Sequence, residues 1–92
     1  MNHKELNELR AQVDEINVKM LELLNERARI VEKIGAYKRN AGMLDVYDPR
    51  REREIFDYLT SRNQGPFDDE MIKNIFKQIF DESSELQKRQ RT

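Results

Sequence analysis

Seven polar side chains, Arg10, Arg27, Lys38, Arg51, Glu52, Ser83 and Gln87, lie on or beside the apolar stripes of a chain otherwise patterned for helices. Arg27 is the sharpest break. Read from Leu6 in steps of three and four, the seam is Leu6, Leu9, Val13, Ile16, Met20, Leu23, Arg27, Ile30, Ile34 and Tyr37, and nine of those ten positions are apolar. A guanidinium does not lose its proton, so among such neighbours it needs an anion; leaving it buried and unpaired costs roughly 3–5 kcal/mol. That anion is either a protein carboxylate or a ligand. Arg10 and Lys38 border one edge of the seam, at the heptad position they share with Asn17, Leu24 and Val31. Three cations therefore line one face.

The remaining four residues extend the stripes of two further helices. Arg51 and Glu52 fall where the stripe through Ile55 and Tyr58 reaches back into a first turn, and an arginine there opposes the helix dipole unless an anion joins the free N–H groups. Ser83 and Gln87 continue the stripe through Ile72, Phe76 and Ile79, with a hydroxyl and a neutral amide in place of carbon. Brought together, these groups make a cationic pocket with one acid and one amide, a setting for a small dicarboxylate. Covalent catalysis does not suit the set: there is no cysteine, the single histidine is His3 near a chain end, and Ser83 has no evident base. Fixed cations and hydrogen-bond donors instead hold a flexible dianion in a reactive conformer and stabilise charge that develops in the transition state.

Plainer readings account for the same residues one at a time. Arg27 serves equally as a register-setting polar group in a coiled-coil core, paired with a partner glutamate. Arg10 and Lys38 are also natural snorkelling flank residues, Arg51 and Glu52 a solvated charge run, and Ser83 and Gln87 exposed groups near a chain end. The pattern alone leaves both sets open.

The elements that must position these groups follow from composition and punctuation. Ninety-two residues with 37% hydrophobic and 38% charged side chains, two prolines and three glycines are expected to form one all-α domain, with residues from about 88 to 92 as a tail or linker. A first helix is expected from about Lys4 to Arg39, closed by Asn40-Ala41-Gly42. At 1.5 Å per residue it spans roughly 50 Å. A compact monomer of this length has a radius of gyration of only about 12 Å, so the heptad seam predicts pairing with a second long helix. Asp48-Pro49 opens a second helix as N-cap and first helical residue, with an inner face through Ile55, Tyr58 and Leu59. Asn63-Gln64-Gly65-Pro66 breaks it, and Asp68 caps a third helix that buries Ile72, Ile75, Phe76, Ile79 and Phe80.

Several function classes recede on the same grounds. Without cysteine there is neither a disulfide framework nor a thiolate metal site, and metal chemistry is not expected. A net charge of −1 gives little reason to expect nucleic acid, although Lys88, Arg89 and Arg91 make a small basic end. No segment approaches membrane-spanning length and the first twenty residues hold no continuous apolar stretch, so a cytoplasmic location is expected, without signal peptide or transmembrane helix.

The ordered motifs Leu9-Arg10, Glu26-Arg27, Ile34-Gly35 with Lys38, Tyr47-Asp48-Pro49-Arg50-Arg51-Glu52-Arg53, Gly65-Pro66-Phe67, and Ile75-Phe76-Lys77-Gln78-Ile79-Phe80 leading to Leu86-Gln87 carry a resemblance. Over Leu6 to Gln87 the chain resembles the all-helical class of chorismate mutase. It is most similar there to the mutase domain fused in front of 3-deoxy-D-arabino-heptulosonate 7-phosphate (DAHP) synthase in some bacteria. The resemblance implies an intertwined homodimer of three-helix chains with two equivalent sites and no cofactor, isomerising chorismate to prephenate in aromatic amino acid biosynthesis. It makes Arg27 and Arg10 the clamps for the two substrate carboxylates, with Arg10 reaching across the dimer interface. Lys38 then touches a carboxylate and the ether oxygen, Gln87 donates to that oxygen, and Glu52 accepts from the ring hydroxyl. Asp48, Arg51 and Ser83 match further substrate contacts.

The same resemblance implies a second, regulatory role toward an attached DAHP synthase. Two rivals stand beside it: an isochorismate–pyruvate lyase, which shares the fold and the cationic pocket, and a non-catalytic helical dimerisation module. Gly35, inside the first helix, is expected to permit close helix approach at a cost of about 1 kcal/mol relative to alanine.

Overall fold

Three helices make up the fold: α1 (Lys4–Asn40), α2 (Pro49–Arg62) and α3 (Asp69–Gln90). The computed structural model describes residues 3–43 and 45–90, and among these there is no strand. The helix ends are set by the local chemistry expected of them. Gly42 closes α1 in the left-handed region, φ +72°, while its N–H reaches Arg39 O at 3.2 Å and the Met43 N–H reaches Lys38 O at 2.7 Å. Those two bonds form a Schellman motif, and they satisfy carbonyls that a helix end otherwise leaves bare. Asp48 caps α2, its carboxylate accepting the Arg51 N–H at 3.1 Å, with Pro49 as first helical residue. Asp68 does the same for α3, accepting from Met71 N–H at 2.8 Å. Between α2 and α3 the Asn63 side chain accepts from Gly65 N–H at 3.0 Å and donates to Phe67 O at 2.8 Å, which ties the break into a defined turn.

The chain divides into two compact units, Met1–Ile30 and Val31–Thr92. In the first, the described residues from Lys4 onward belong to α1, and the seam side chains Leu6, Leu9, Val13, Ile16, Met20 and Leu23 are exposed along it. The second unit carries the tertiary packing. Its core centres on Phe80, 4% exposed, whose ring lies 5.1 Å from that of Phe56 and 6.2 Å from that of Phe76.

Two details differ from the expected faces. Phe56, not Tyr58, meets α3; Tyr58 is exposed, with the Arg62 guanidinium 4.8 Å above its ring. The two positions are about 200° apart on a helix of 3.6 residues per turn, and Ile55 and Leu59 are compatible with either neighbour, so packing against Phe80 decides the face. Ile75 likewise lies outside the core, whereas Ile72, Phe76 and Ile79 are half-buried. At the far end, Lys88 to Gln90 are helical, where a tail is expected from sequence; Arg91 and Thr92 fall outside the described residues. Among the described residues no helix is long and apolar enough to cross a membrane.

Phe80→Ala is expected to lower the unfolding free energy by about 3 kcal/mol or more, as for other buried phenylalanines. Tyr58→Ala, on the exposed side of α2, should cost under about 1 kcal/mol. Urea denaturation of the two variants checks the assignment of the face, and equal losses would contradict it.

Candidate active site

Six of the eight residues singled out for the site lie in the second unit: Lys38, Asp48, Arg51, Glu52, Ser83 and Gln87. Arg10 and Arg27 lie on α1 in the first, Arg10 exposed and Arg27 half-buried.

Gln87 is the most constrained of them. At 6% exposure it is the only buried polar side chain among the described residues. Burying an amide without partners costs free energy, and Gln87 offsets this by donating from Nε2 to the backbone carbonyl of Val31 at 3.1 Å. One turn later Gln90 makes the parallel contact, Nε2 to Glu32 O at 3.3 Å. Both carbonyls belong to α1 and lie three and four residues before Gly35. A helical side chain covers the turn N-terminal to its own Cα, so any side chain at 35 would lie over those two oxygens. Gly35 leaves them open, and it is the one buried residue of α1.

An NH2 group has two N–H bonds. With one of them on Val31 O, the Gln87 amide is fixed in orientation and presents the second as a neutral donor. Lys38 stands three residues beyond Gly35, hence on the same side of α1. Its ammonium makes a long contact of 3.5 Å to Asp45 O, which is exposed and easily exchanged for a ligand. Lys38 and Asp48 share an open cleft of about 600 Å³ with Met43, Asp45, Tyr47 and Pro49. That is within the usual range for small-molecule sites, about 300–1,000 Å³.

The other candidates are placed more locally. Asp48 Oδ1 is committed to capping α2. Arg51 turns to Glu54, 3.4 Å away, in an exposed ion pair, so the first-turn arginine is balanced from within its own helix. Glu52 is half-buried in that turn. Ser83 Oγ donates to Ile79 O at 2.7 Å, which commits its proton to the backbone of its own helix. Among the described residues no cluster of three or more His, Cys, Asp or Glu side chains is placed to hold a metal ion.

Amide and ammonium N–H donors are groups that polarise an ether or carbonyl oxygen without acid–base chemistry; here the Gln87 amide is seated on α1, and Lys38, three residues beyond Gly35, lines the cleft. The profile of the chorismate mutase type II family matches residues 9–88. The chain belongs to that family. It is 38% identical, over 90 residues, to the bifunctional chorismate mutase/prephenate dehydratase of Aquifex aeolicus, covering 94% of this chain and 25% of that protein. The chain thus spans a quarter of that relative, whose companion activity is a dehydratase and not the synthase implied by the sequence motifs. Among solved structures, chorismate mutase (form II) from Thermus thermophilus superimposes with a TM-score of 0.91 at 46% identity, covering 95% of this chain and 98% of that one. The chorismate mutase of Helicobacter pylori in complex with prephenate gives 0.85 at 28% identity, over 91% and 90%.

Sequence reasoning missed Gln90, taken as part of a polar tail, and the Val31 and Glu32 carbonyls. The signal was present: Gln87 and Gln90 are three apart on one face, and Gly35 is the only glycine within a helix. Asp48→Ala is expected to lower stability by about 1 kcal/mol through the lost cap. Arg51→Ala, which removes only an exposed ion pair, should change it by under about 0.5 kcal/mol. Denaturant melts of the pair check this, and a large loss for Arg51→Ala would show that it holds more than Glu54.

Proposed function

We propose that this chain converts chorismate to prephenate by a [3,3]-sigmatropic rearrangement, in which the ether C–O bond breaks as a C–C bond forms. Family membership over residues 9–88 supports the reaction, and the observation that carries the mechanism is the buried Gln87 amide with one N–H tied to Val31 O. The reaction is intramolecular and needs no proton transfer. Catalysis therefore consists of holding the dianion with its two reacting carbons in register and stabilising the negative charge that grows on the ether oxygen.

In this reading Arg10 and Arg27 clamp the two carboxylates, Lys38 bridges a carboxylate and the ether oxygen, and Glu52 accepts from the ring hydroxyl. Gln87 directs its second N–H to the ether oxygen. That bond strengthens as charge develops, so it favours the transition state over the bound substrate. Asp48, Arg51 and Ser83 complete the contacts with the substrate. Arg10 comes from the partner subunit of a homodimer, a state supported by the exposed apolar seam from Leu6 to Leu23, on whose edge Arg10 lies. The motif resemblance also supports a companion DAHP synthase under this domain's control. Adding the chain to such a synthase and assaying for prephenate-dependent inhibition tests that pairing.

Incubation with chorismate, with the product identified by proton NMR, tests the central reaction. Prephenate is expected from the wild-type chain and none from Arg27→Ala. Salicylate and pyruvate released from isochorismate, without prephenate from chorismate, would instead make it a lyase. No turnover, with Arg27→Met as stable as wild type or more so, would make it a dimerisation module.

Gln87 carries a pH prediction. A neutral amide donates at any ordinary pH, whereas a glutamate in its place donates only when protonated, with an unperturbed pKa of about 4.3. Wild-type turnover is expected to persist through neutral pH. Gln87→Glu should confine it to acidic pH, and an unchanged profile would contradict the role given to Gln87.

A further inference from the structure

We infer that Gly35 and Gln90 are positioning residues for the reaction, forming a seat that fixes the direction of the Gln87 amide; the inference rests on the mutase reading above. The seat has three parts. Gly35 supplies open backbone, so that the carbonyls of Val31 and Glu32 can be reached from the side. Gln87 and Gln90, one turn apart on α3, donate to those two oxygens at 3.1 and 3.3 Å. Packing closes the arrangement: a Cβ built on Gly35 would stand 2.6 Å from Gln90 Oε1, 3.3 Å from Gln87 Cγ and 3.7 Å from Gln87 Cδ. The space that a methyl group would fill is taken by the two amides.

Gln90 is set apart from an ordinary helix-surface glutamine by the state of its oxygen. Oε1 is buried and has no hydrogen-bond partner, the only such side-chain atom among the described residues. A buried acceptor without a partner is unfavourable, and a group free to rotate would turn it to water. It is held there by the Nε2 bond to Glu32 O on one side and the bare Gly35 backbone on the other. The last turn of α3 is thereby pinned to α1 at two adjacent carbonyls. With one bond alone, that of Gln87, the amide could swivel about its own donor; the second bond, one turn on, fixes the register of α3 and so the aim of the free Gln87 N–H. Lys38, three residues after Gly35, is the other donor on that face, and the seat sets the spacing between the two.

Stability and catalysis should then separate in one substitution, the first little changed and the second lowered. Gly35→Ala replaces a poor helix former by the best one, and the atom it strikes at 2.6 Å is the end of a flexible side chain that can swing away. The thermal midpoint of Gly35→Ala is expected to stay within a few degrees of the wild type, the gain in helix propensity offsetting the loss of the Gln90–Glu32 bond. The displaced Gln90 and the crowded Gln87 Cγ nevertheless shift the amide by a few tenths of an ångström. Here kcat is expected to fall about tenfold, with KM changed less than about threefold, because only the transition-state contact is misaligned. Gln90→Leu, similar in volume but without the donor, should lower kcat in the same way.

The deciding measurement repeats both substitutions in Gln87→Ala, where no amide remains to be aimed. In that background Gly35→Ala and Gln90→Leu are expected to change kcat by less than about twofold. Equal losses in both backgrounds, or unaltered kcat for Gly35→Ala in the wild type, would overturn the inference while leaving the mutase reading intact. A wild-type chain inactive on chorismate would overturn both.

Discussion

A neutral amide buried against a helix backbone is the constraint on which this structure turns. Gln87 is nearly as buried as Phe80, yet it carries polar atoms that need partners. In an α-helix the carbonyls are already bonded along the axis and are usually shielded by side chains one turn on. Gly35 removes that shield and opens Val31 O to a donor from α3. One glycine thus serves both packing and polarity: it lets α3 approach and it offers the oxygen that makes burial of Gln87 tolerable. Charged groups would satisfy the same oxygen at a larger desolvation cost, and an apolar residue would fill the seat without offering a donor.

The rest of the second unit can be understood as support for that contact. The α2–α3 pair is held by Phe80 between Phe56 and Phe76, and the turn between the helices is tied by Asn63. Caps at Asp48 and Asp68 fix where each helix begins, and hence the rotational phase at which Glu52, Ser83 and Gln87 emerge. The Schellman closure at Gly42 ends α1 just beyond Lys38 and turns the chain into the cleft that Lys38 shares with Asp48.

Local chemistry was the legible part of the sequence. Asp48-Pro49, Asp68 and Asn40-Ala41-Gly42 mark helix ends within a residue or so because a cap acts over three or four positions. Gln87 and Arg27 were legible as breaks in an apolar stripe. What the pattern could not resolve was which of several adjacent residues faces a partner. Phe56 and Tyr58 are both large and aromatic, with Ile55 and Leu59 shared between their faces, so only the position of Phe80 decides. Gln90 was hidden for a related reason. A glutamine among lysines and arginines has the composition of a tail, and its significance lies in a gap on another helix more than fifty residues earlier. Arg51 shows the same limit: its first-turn charge stood out in the sequence, but the exposed ion pair it makes with Glu54 is one that any helix could offer.

The most direct test of this account observes the Gln87 side-chain amide itself. In a ¹H–¹⁵N spectrum of the labelled chain its two Nε2 protons are distinct, and a bicyclic dicarboxylic ether shaped like the rearrangement's transition state supplies the oxygen they should recognise. On titration with this analogue, one Gln87 proton is expected to shift downfield as it bonds the ether oxygen, while the other, held by Val31 O, stays in place. If the analogue saturates the protein and neither proton moves, Gln87 does not serve the ether oxygen, and the mechanism argued from its buried seat is wrong.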